Sequence, residues 1–229
     1  MLDYTLKRSK RKSVGLRITD SGEVVVTAPI HAKKSIVDEV VTAKSSWIKS
    51  KLQIIKNRQE SFTPKNYTDG ENFEYLGASY PLTVLNNNNQ ICLSDHIISV
   101  GIKKATNQSA SQQELIKKKV INWYRKQAQF YLDNIGFELA AEIGVNPVLI
   151  KEKAFLSSWG MCHSNGKIYI NFKLIMAPKE VLNYVIIHEL CHLVHPNHSK
   201  EFWSLVEQHC DNFKVHRNWL KDNGYKLQL

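Results

Sequence analysis

The sequence lacks any long run of apolar side chains. No apolar segment approaches the ~20 residues that a membrane-spanning helix needs. Near the start, Asp3 and the basic residues between Lys7 and Lys12 interrupt the apolar stretch that a signal peptide would require. We therefore expect a cytoplasmic protein with no membrane partner.

Cysteine is also scarce, and the spacing of the cysteines does not suggest cross-links. The four cysteines are Cys92, Cys162, Cys191 and Cys210, and none forms a C-x-x-C pair. This spacing argues against a disulfide framework and against a structural zinc knuckle. Reduced thiols are the expected state.

Acidic residues are few relative to basic ones. The 31 Lys and Arg against 21 Asp and Glu give a formal net charge of +10, so an acidic partner such as nucleic acid has to be considered. No nucleic-acid-binding motif accompanies this charge, which makes a solvated basic surface the simpler interpretation. The sequence also lacks a glycine-rich loop of the type that cradles phosphates.

One stretch carries the chemistry. His188, Glu189 and His192 form H-E-x-x-H, which on a helix puts two imidazoles one turn apart on one face, where they can hold a zinc ion. Pro178 suits a helix start, and the segment that follows is apolar on nearly all sides. Buried histidines and a carboxylate are unfavourable unless something satisfies them, and a metal does so. Glu189 would lie beside the open position of that metal.

A catalytic zinc normally has three protein ligands, so a third must be found. Pro196 disfavours helical geometry at His195 and is expected to end the helix there, so that the chain can turn and bring His198 back to the metal. His198 is therefore the preferred third ligand. The alternatives are His195, near the helix end, and a carboxylate from the following helix, Glu201 or Glu207. Cys191 neighbours His192 but points about 100° away from it.

These residues resemble a known family. His-Glu-Leu-x-His-Leu, then Pro-Asn-His-Ser and Phe-Trp, preceded by Trp159-Gly160-x-Cys162, are similar to the YgjP-like zinc metallopeptidases, which are related to the SprT-like H-E-x-x-H peptidases. The resemblance covers residues 155–220 well and the N-terminal half more loosely. It implies one Zn²⁺ per chain on His188, His192 and His198, with Glu189 as catalytic base.

The chain departs from the family pattern beside this motif. Ser158 stands where family members usually carry an arginine, and Met161 replaces a small polar residue. A role tied to that arginine is therefore in doubt for this chain.

The order of predicted elements indicates an α+β fold. Residues 1–108 are expected to form a β-rich region with one or two basic amphipathic helices, and residues 109–229 a zincin-like catalytic domain with a small sheet and the H-E-x-x-H helix. A hairpin is predicted between 14–18 and 24–26, and a loop over 58–71. The further predicted elements are a meander of strands over 73–76, 80–85, 91–93 and 97–100 with a turn at 86–89, a helix from Ser109 stopped at Asn146-Pro147, and strands over 148–150 and 167–172.

A strand that precedes the metal helix can accept a peptide substrate on its edge, which gives main-chain recognition with little sequence selectivity. Candidates for lining the cleft are Tyr169, Asn171, Cys162 and His163. Trp159 and Trp203 are expected to brace the metal site by packing.

Three functions remain open from the sequence. The first is a zinc metallopeptidase acting on a peptide or protein, in which Glu189 activates water bound to zinc. The second is a metal-dependent nucleotide pyrophosphatase of the UTP-hydrolysing type, because some members of the resembled family are described as nucleotide pyrophosphatases. The third is a nucleic-acid-associated protein in which the zinc site is structural or regulatory. The oligomeric state does not follow from the sequence.

Overall fold

The computed structural model describes residues 2–19, 21–61, 63–86, 90–102 and 109–229. Its chain divides into two compact units, Met1–Thr63 and Pro64–Leu229. Within the described residues, no helix is both long enough and apolar enough to cross a membrane. The predicted turn at 86–89 falls mostly outside the described residues.

The first unit is a three-stranded sheet followed by two helices. Its elements are β1 (Thr5–Ser9), β2 (Gly15–Ile18), β3 (Val24–Pro29), α1 (Lys34–Ala43) and α2 (Ser45–Ser61). The sheet order is β1-β3-β2, with β1 parallel and β2 antiparallel to β3. The predicted hairpin is thus confirmed. Alternate residues of β3, Val24, Val26 and Ala28, join Val37, Val41 and Ile48 in its core.

The loop predicted from residue 58 begins later than expected. Helix α2 continues to Ser61, and side-chain pairs four residues apart support its last turns. Gln53 donates to Asn57, and Lys56 pairs with Glu60.

The second unit contains two small sheets and five α-helices among its described residues. Its strands are β4 (Asn72–Tyr75), β5 (Ala78–Leu85), β6 (Ile91–Ser94), β7 (Ile97–Gly101), β8 (Leu149–Lys153), β9 (Gly160–Cys162) and β10 (Lys167–Asn171). Its helices are α3 (Ser109–Tyr131), α4 (Phe137–Ile143), α5 (Lys179–Cys191), α6 (Lys200–His209) and α7 (Phe213–Asn223). A π-helical turn, Leu132–Gly136, joins α3 to α4, and 3₁₀ segments cover Phe172–Met176 and Gly224–Lys226.

The predicted meander is wrong in its strand order. The four strands lie in the order β4-β5-β7-β6, and β5 pairs in parallel with β7. The physical reason is burial, because β7 contributes Ile98 and Val100 to the core whereas Cys92 and Ser94 of β6 are exposed. The more apolar strand therefore takes the interior position and the half-polar strand takes the edge.

The predicted division at residues 108 and 109 differs from the division into compact units. The β4–β5 hairpin is bonded to the segment that precedes α5, since the Leu76 N–H donates to the Ile175 carbonyl at 2.8 Å. At Gly77 an added Cβ would lie 2.9 Å from the Pro178 Cα. Strands β4 to β7, assigned from sequence to the first region, thus share a core with the second region.

Two helix ends also differ from the predictions. Helix α4 ends at Ile143, three residues before Asn146, because Gly144 adopts a left-handed conformation with φ 78° and caps it. Helix α5 ends at Cys191 and not at His195, with His192 as its C-cap. The two amphipathic helices that follow it in the chain, α6 and α7, pack against it.

Candidate metal centre

The candidate metal centre lies partly on α5, which is a buried helix. Val181, Leu182, Val185 and Ile186 are among the buried residues that fix it in the core. Glu189 lies on the same helix and is 7% exposed. It is one of two polar residues fully buried in the described chain, so its position needs a chemical reason.

The chain returns to the end of α5 through a short turn. Ser199 caps α6, and its hydroxyl oxygen accepts a hydrogen bond from the Phe202 N–H. This turn places His198 beside the helix, with its Nε2 3.1 Å from the Nε2 of His188. Two imidazole nitrogens so close are compatible with a shared cation or a shared proton.

His192 completes the cluster. Its Nδ1 donates to the His195 carbonyl oxygen at 3.1 Å, which leaves Nε2 as the nitrogen with a free lone pair. The ligand atoms offered by His188, His192 and His198 all lie within 4.8 Å of one another. The structure therefore brings together the three histidines that the sequence singled out.

The rival ligands lie elsewhere. In the described part of the chain, the cluster that could hold an ion includes neither His195 nor Cys191. Glu207 instead pairs with Lys214 at 3.8 Å, and Glu201 is an exposed residue in the first turn of α6.

One aromatic side chain supports all three imidazoles. The ring of Phe202, which is fully buried, lies with its centroid 4.9 Å from that of His188, 4.5 Å from His192 and 4.8 Å from His198. Trp203 adds contacts with His188 and His198 at 5.6 and 5.5 Å. These ring contacts limit the rotamers of the imidazoles, so the cluster is held in a defined geometry. The predicted bracing role of Trp203 agrees with these contacts.

The chemistry of the cluster fits a divalent cation. Burial, together with the neighbouring His192 and His198, lowers the pKa of His188 to about 3. Burial also lowers the pKa of His192. Neutral imidazole is the form that binds a metal. The buried Nδ1 of His188 has no hydrogen-bond partner among the described residues, and a positive ion on the opposite nitrogen would favour the tautomer that protonates it.

The side chain of Glu189 lies unusually close to the backbone of Gly160 in strand β9. A Cβ added at Gly160 would lie 2.5 Å from Glu189 Oε1 and 2.6 Å from its Cγ. Burial raises the pKa of the Glu189 carboxyl to about 7, although a hydrogen bond from the Cys162 backbone lowers it. A carboxyl group tuned near neutrality is suited to exchange protons at physiological pH.

The four cleft candidates have different surroundings. Asn171 is 3% exposed and uses its side-chain N–H groups on the carbonyls of Phe155 and Ser158, at 3.2 and 3.1 Å. Cys162 lies next to Glu189, and burial raises the pKa of its thiol to about 11. Tyr169 and the exposed His163 contact each other with ring centroids 5.6 Å apart.

A cavity of about 350 Å³ opens beside the histidine cluster, and none of these four candidates lines it. Its wall includes His188, Glu189 and Gly160, together with residues of α7. Local sequence patterns do not mark Gly160, Phe202 or Arg217 of α7 as functional residues. A glycine directly after Trp159 was the available signal for a close backbone approach.

These observations indicate the class of protein. The chain is an α+β protein with a histidine cluster and a buried glutamate on one helix, an arrangement typical of metal-dependent hydrolases. The family profile described as YgjP-like, metallopeptidase domain, matches residues 12–223. The chain therefore belongs to the YgjP-like family of metallopeptidase domains. No curated protein matches the chain, and no solved structure matches it.

Proposed function

We propose that the protein is a zinc-dependent peptidase that hydrolyses peptide bonds with Glu189 as its general base. The observation that carries this proposal is the convergence of three imidazoles within 4.8 Å beside a buried carboxylate. Membership of the metallopeptidase family supports the same reaction class.

His188, His192 and His198 would hold the metal. Three neutral imidazoles suit zinc better than magnesium or calcium, which prefer oxygen ligands. When bound, zinc supplies Lewis acidity that acidifies a water molecule and polarises the scissile carbonyl.

Glu189 would carry the proton through the reaction. Its carboxylate accepts a proton from the attacking water and then donates it to the amine that leaves when the C–N bond breaks. The contact with Gly160 and the hydrogen bond from the Cys162 backbone hold the carboxylate in place between these two transfers. Burial excludes water that would otherwise compete for the proton.

Strand β9 offers a place for the peptide main chain. It lies at the end of the sheet order β8-β10-β9, and no described strand pairs with its outer side. The Asn171 N–H donates to the Trp159 carbonyl and the His163 N–H to the Lys167 carbonyl. By the alternation of an antiparallel ladder, the backbone groups of Gly160 and the carbonyl of Cys162 then face the open edge, whereas the Cys162 N–H is bonded to Glu189.

Two substitutions test the proposal. Glu189→Gln should keep one zinc per chain and lower peptide hydrolysis by about 10²–10⁴-fold, because the amide cannot accept the proton. His188→Ala should lose the metal as well as the activity. Zinc is measured by elemental analysis, and hydrolysis with casein and fluorogenic peptides. The control is His31→Ala, an exposed histidine of the first unit.

Full hydrolysis by the Glu189→Gln variant would contradict the proposed mechanism. UTP belongs in the same substrate panel. Zinc-dependent release of pyrophosphate from UTP, without cleavage of any peptide, would replace the peptidase by the nucleotide pyrophosphatase.

A further inference from the structure

The cavity beside Glu189 has apolar walls and a positively charged side. Trp159, Tyr184, Val185 and Leu220 supply the apolar surface, and α7 contributes Arg217 and Lys221. Its volume of about 350 Å³ lies within the ~300–1,000 Å³ range of small-molecule sites. A group bound in this cavity would therefore contact both the candidate general base and a guanidinium.

Arg217 is held in place by the aromatic cluster of the metal centre. Its guanidinium carbon lies 5.0 Å from the ring centroid of Trp203. Trp203 is itself stacked on Phe213, with centroids 5.3 Å apart, and on the candidate ligand His198. A guanidinium on an indole loses less freedom when it binds a ligand, because it is already oriented.

The charge of Arg217 is not neutralised within the described chain. None of the ion pairs between described residues involves Arg217, and its side chain is exposed. Its field reaches the surrounding groups: burial raises the pKa of Tyr184, whereas the positive charge of Arg217 lowers it. The exposed guanidinium is thus available to an anionic group that enters the cavity.

We propose that Arg217 determines substrate specificity by binding a carboxylate of the peptide, either an acidic side chain or the C-terminal carboxylate, in the cavity beside Glu189. This inference rests on the proposed peptidase function and names its substrate class. The planar fork of a guanidinium matches a carboxylate with two parallel hydrogen bonds. The apolar walls suit the hydrocarbon part of the residue that bears the carboxylate.

The surroundings favour a carboxylate over a nucleotide. A triphosphate carries several charges and is usually held by backbone N–H groups of a glycine-rich loop, which this sequence lacks. One oriented arginine, with Lys221 and apolar side chains around it, matches one planar anion better than a polyanion.

The test measures peptide binding without requiring catalysis. The full chain carrying Glu189→Gln is titrated, with and without zinc, with matched peptides that differ in Glu against Gln and in a free against an amidated C-terminus. Tryptophan fluorescence reports binding, because Trp159 lines the cavity. With Arg217 present, a peptide that bears the carboxylate should bind at least about tenfold more tightly than its neutral match.

Arg217→Gln should abolish this difference, and Arg217→Lys should keep part of it. The control is Lys118→Gln, which removes the same charge from an exposed pair with Glu114 on α3 and should change nothing. Near-UV circular dichroism checks that each variant is folded. In the otherwise wild-type enzyme, Arg217→Gln should raise KM for the acidic peptide more than it lowers kcat.

Equal affinities for the acidic and neutral peptides would overturn the inference, as would equal effects of Arg217→Gln and Lys118→Gln. Tighter binding of UTP or inorganic pyrophosphate than of any acidic peptide, lost in Arg217→Gln, would assign the cavity to phosphate instead. If the preference for acidic over neutral peptides depends on Arg217 but no peptide is cleaved, the carboxylate-binding role of Arg217 is supported and the peptidase proposal fails. If peptides are cleaved but acidic and neutral peptides bind equally well, only the carboxylate-binding role of Arg217 is contradicted.

Discussion

The carboxylate of Glu189 lies against the backbone of Gly160, so closely that a methyl group at Gly160 would stand 2.5 Å from Oε1. We predict that Gly160→Ala displaces Glu189 and lowers peptide hydrolysis by at least about 10²-fold, the usual contribution of a well-placed general base. Zinc binding should persist, because the three atoms nearest to the new methyl group all belong to Glu189 and none to a histidine of the cluster. Activity and zinc content are measured on the same preparation.

Gly15→Ala serves as the control for this substitution. There the added Cβ would meet the guanidinium of Arg11, the flexible end of a side chain that can move away. It should leave hydrolysis unchanged. Full activity of Gly160→Ala would show that the position of Glu189 is not limiting.

The ring of Phe202 supports the three histidines, and Phe202→Leu should therefore weaken zinc binding. Loss of this packing lets the imidazoles leave their common geometry, and we expect an affinity lower by about 10–100-fold, as is usual when groups that orient metal ligands are removed. Competition with a chromophoric chelator measures the affinity. Val206→Ala, another buried position of α6, should destabilise the fold without this loss. Equal zinc affinities for Phe202→Leu and the unaltered protein would contradict the prediction.

Asn171 is expected to stabilise the loop before Trp159 and not to contact the substrate. Asn171→Ala leaves the carbonyls of Phe155 and Ser158 and the Lys173 N–H without their partner, so the free energy of unfolding should fall by about 1–3 kcal/mol. Urea unfolding measures this change. A cleft residue would behave differently: a raised KM with unchanged stability would restore the prediction made from the sequence.

In the metal-free protein, the stabilising contribution of the buried His188 should be lost in mild acid. The raised pKa of Glu189 contributes with the opposite sign between about 4.5 and 7, so the His188 contribution is measured against a His188 variant. The pKa of His188 is lowered by burial to about 3 in the folded state, against 6.5 for an unperturbed histidine. The unfolded chain therefore binds the proton more readily, and stability falls as the pH drops from about 6.5 towards 3, by at most about 1.4 kcal/mol per pH unit for this group. Above pH 6.5 the contribution is complete and constant.

His188→Leu should reduce this slope when urea midpoints are compared in the presence of a chelator between pH 4 and pH 8. His31→Gln, which removes an exposed histidine, should keep it. An unchanged slope in His188→Leu would show that the burial of this imidazole does not govern the acid sensitivity.

Local patterns in the chain were sufficient for much of the site. The H-E-x-x-H spacing needs only a helix to bring His188 and His192 onto one face. His198 was favoured because Pro196 forces a turn, although α5 already ends at Cys191. The cytoplasmic location and a nucleic-acid partner stay predictions.

Long-range pairing was the part that local patterns could not supply. The alternation of β5, β6 and β7 predicts strands, but burial of Ile98 and Val100 decided that β7 lies beside β5. The same reason explains the difference in the division of the chain, because the β4–β5 hairpin bonds to residues almost 100 positions later.

The sequence by itself determined the helix that carries His188, Glu189 and His192, since helical periodicity is a local property of the chain. Only the tertiary structure decided that Gly160 meets Glu189, that Phe202 supports three imidazoles and that Arg217 faces the same cavity. These contacts join segments far apart in sequence, and their geometry depends on how α5, α6, α7 and β9 pack together. No spacing rule encodes such distances.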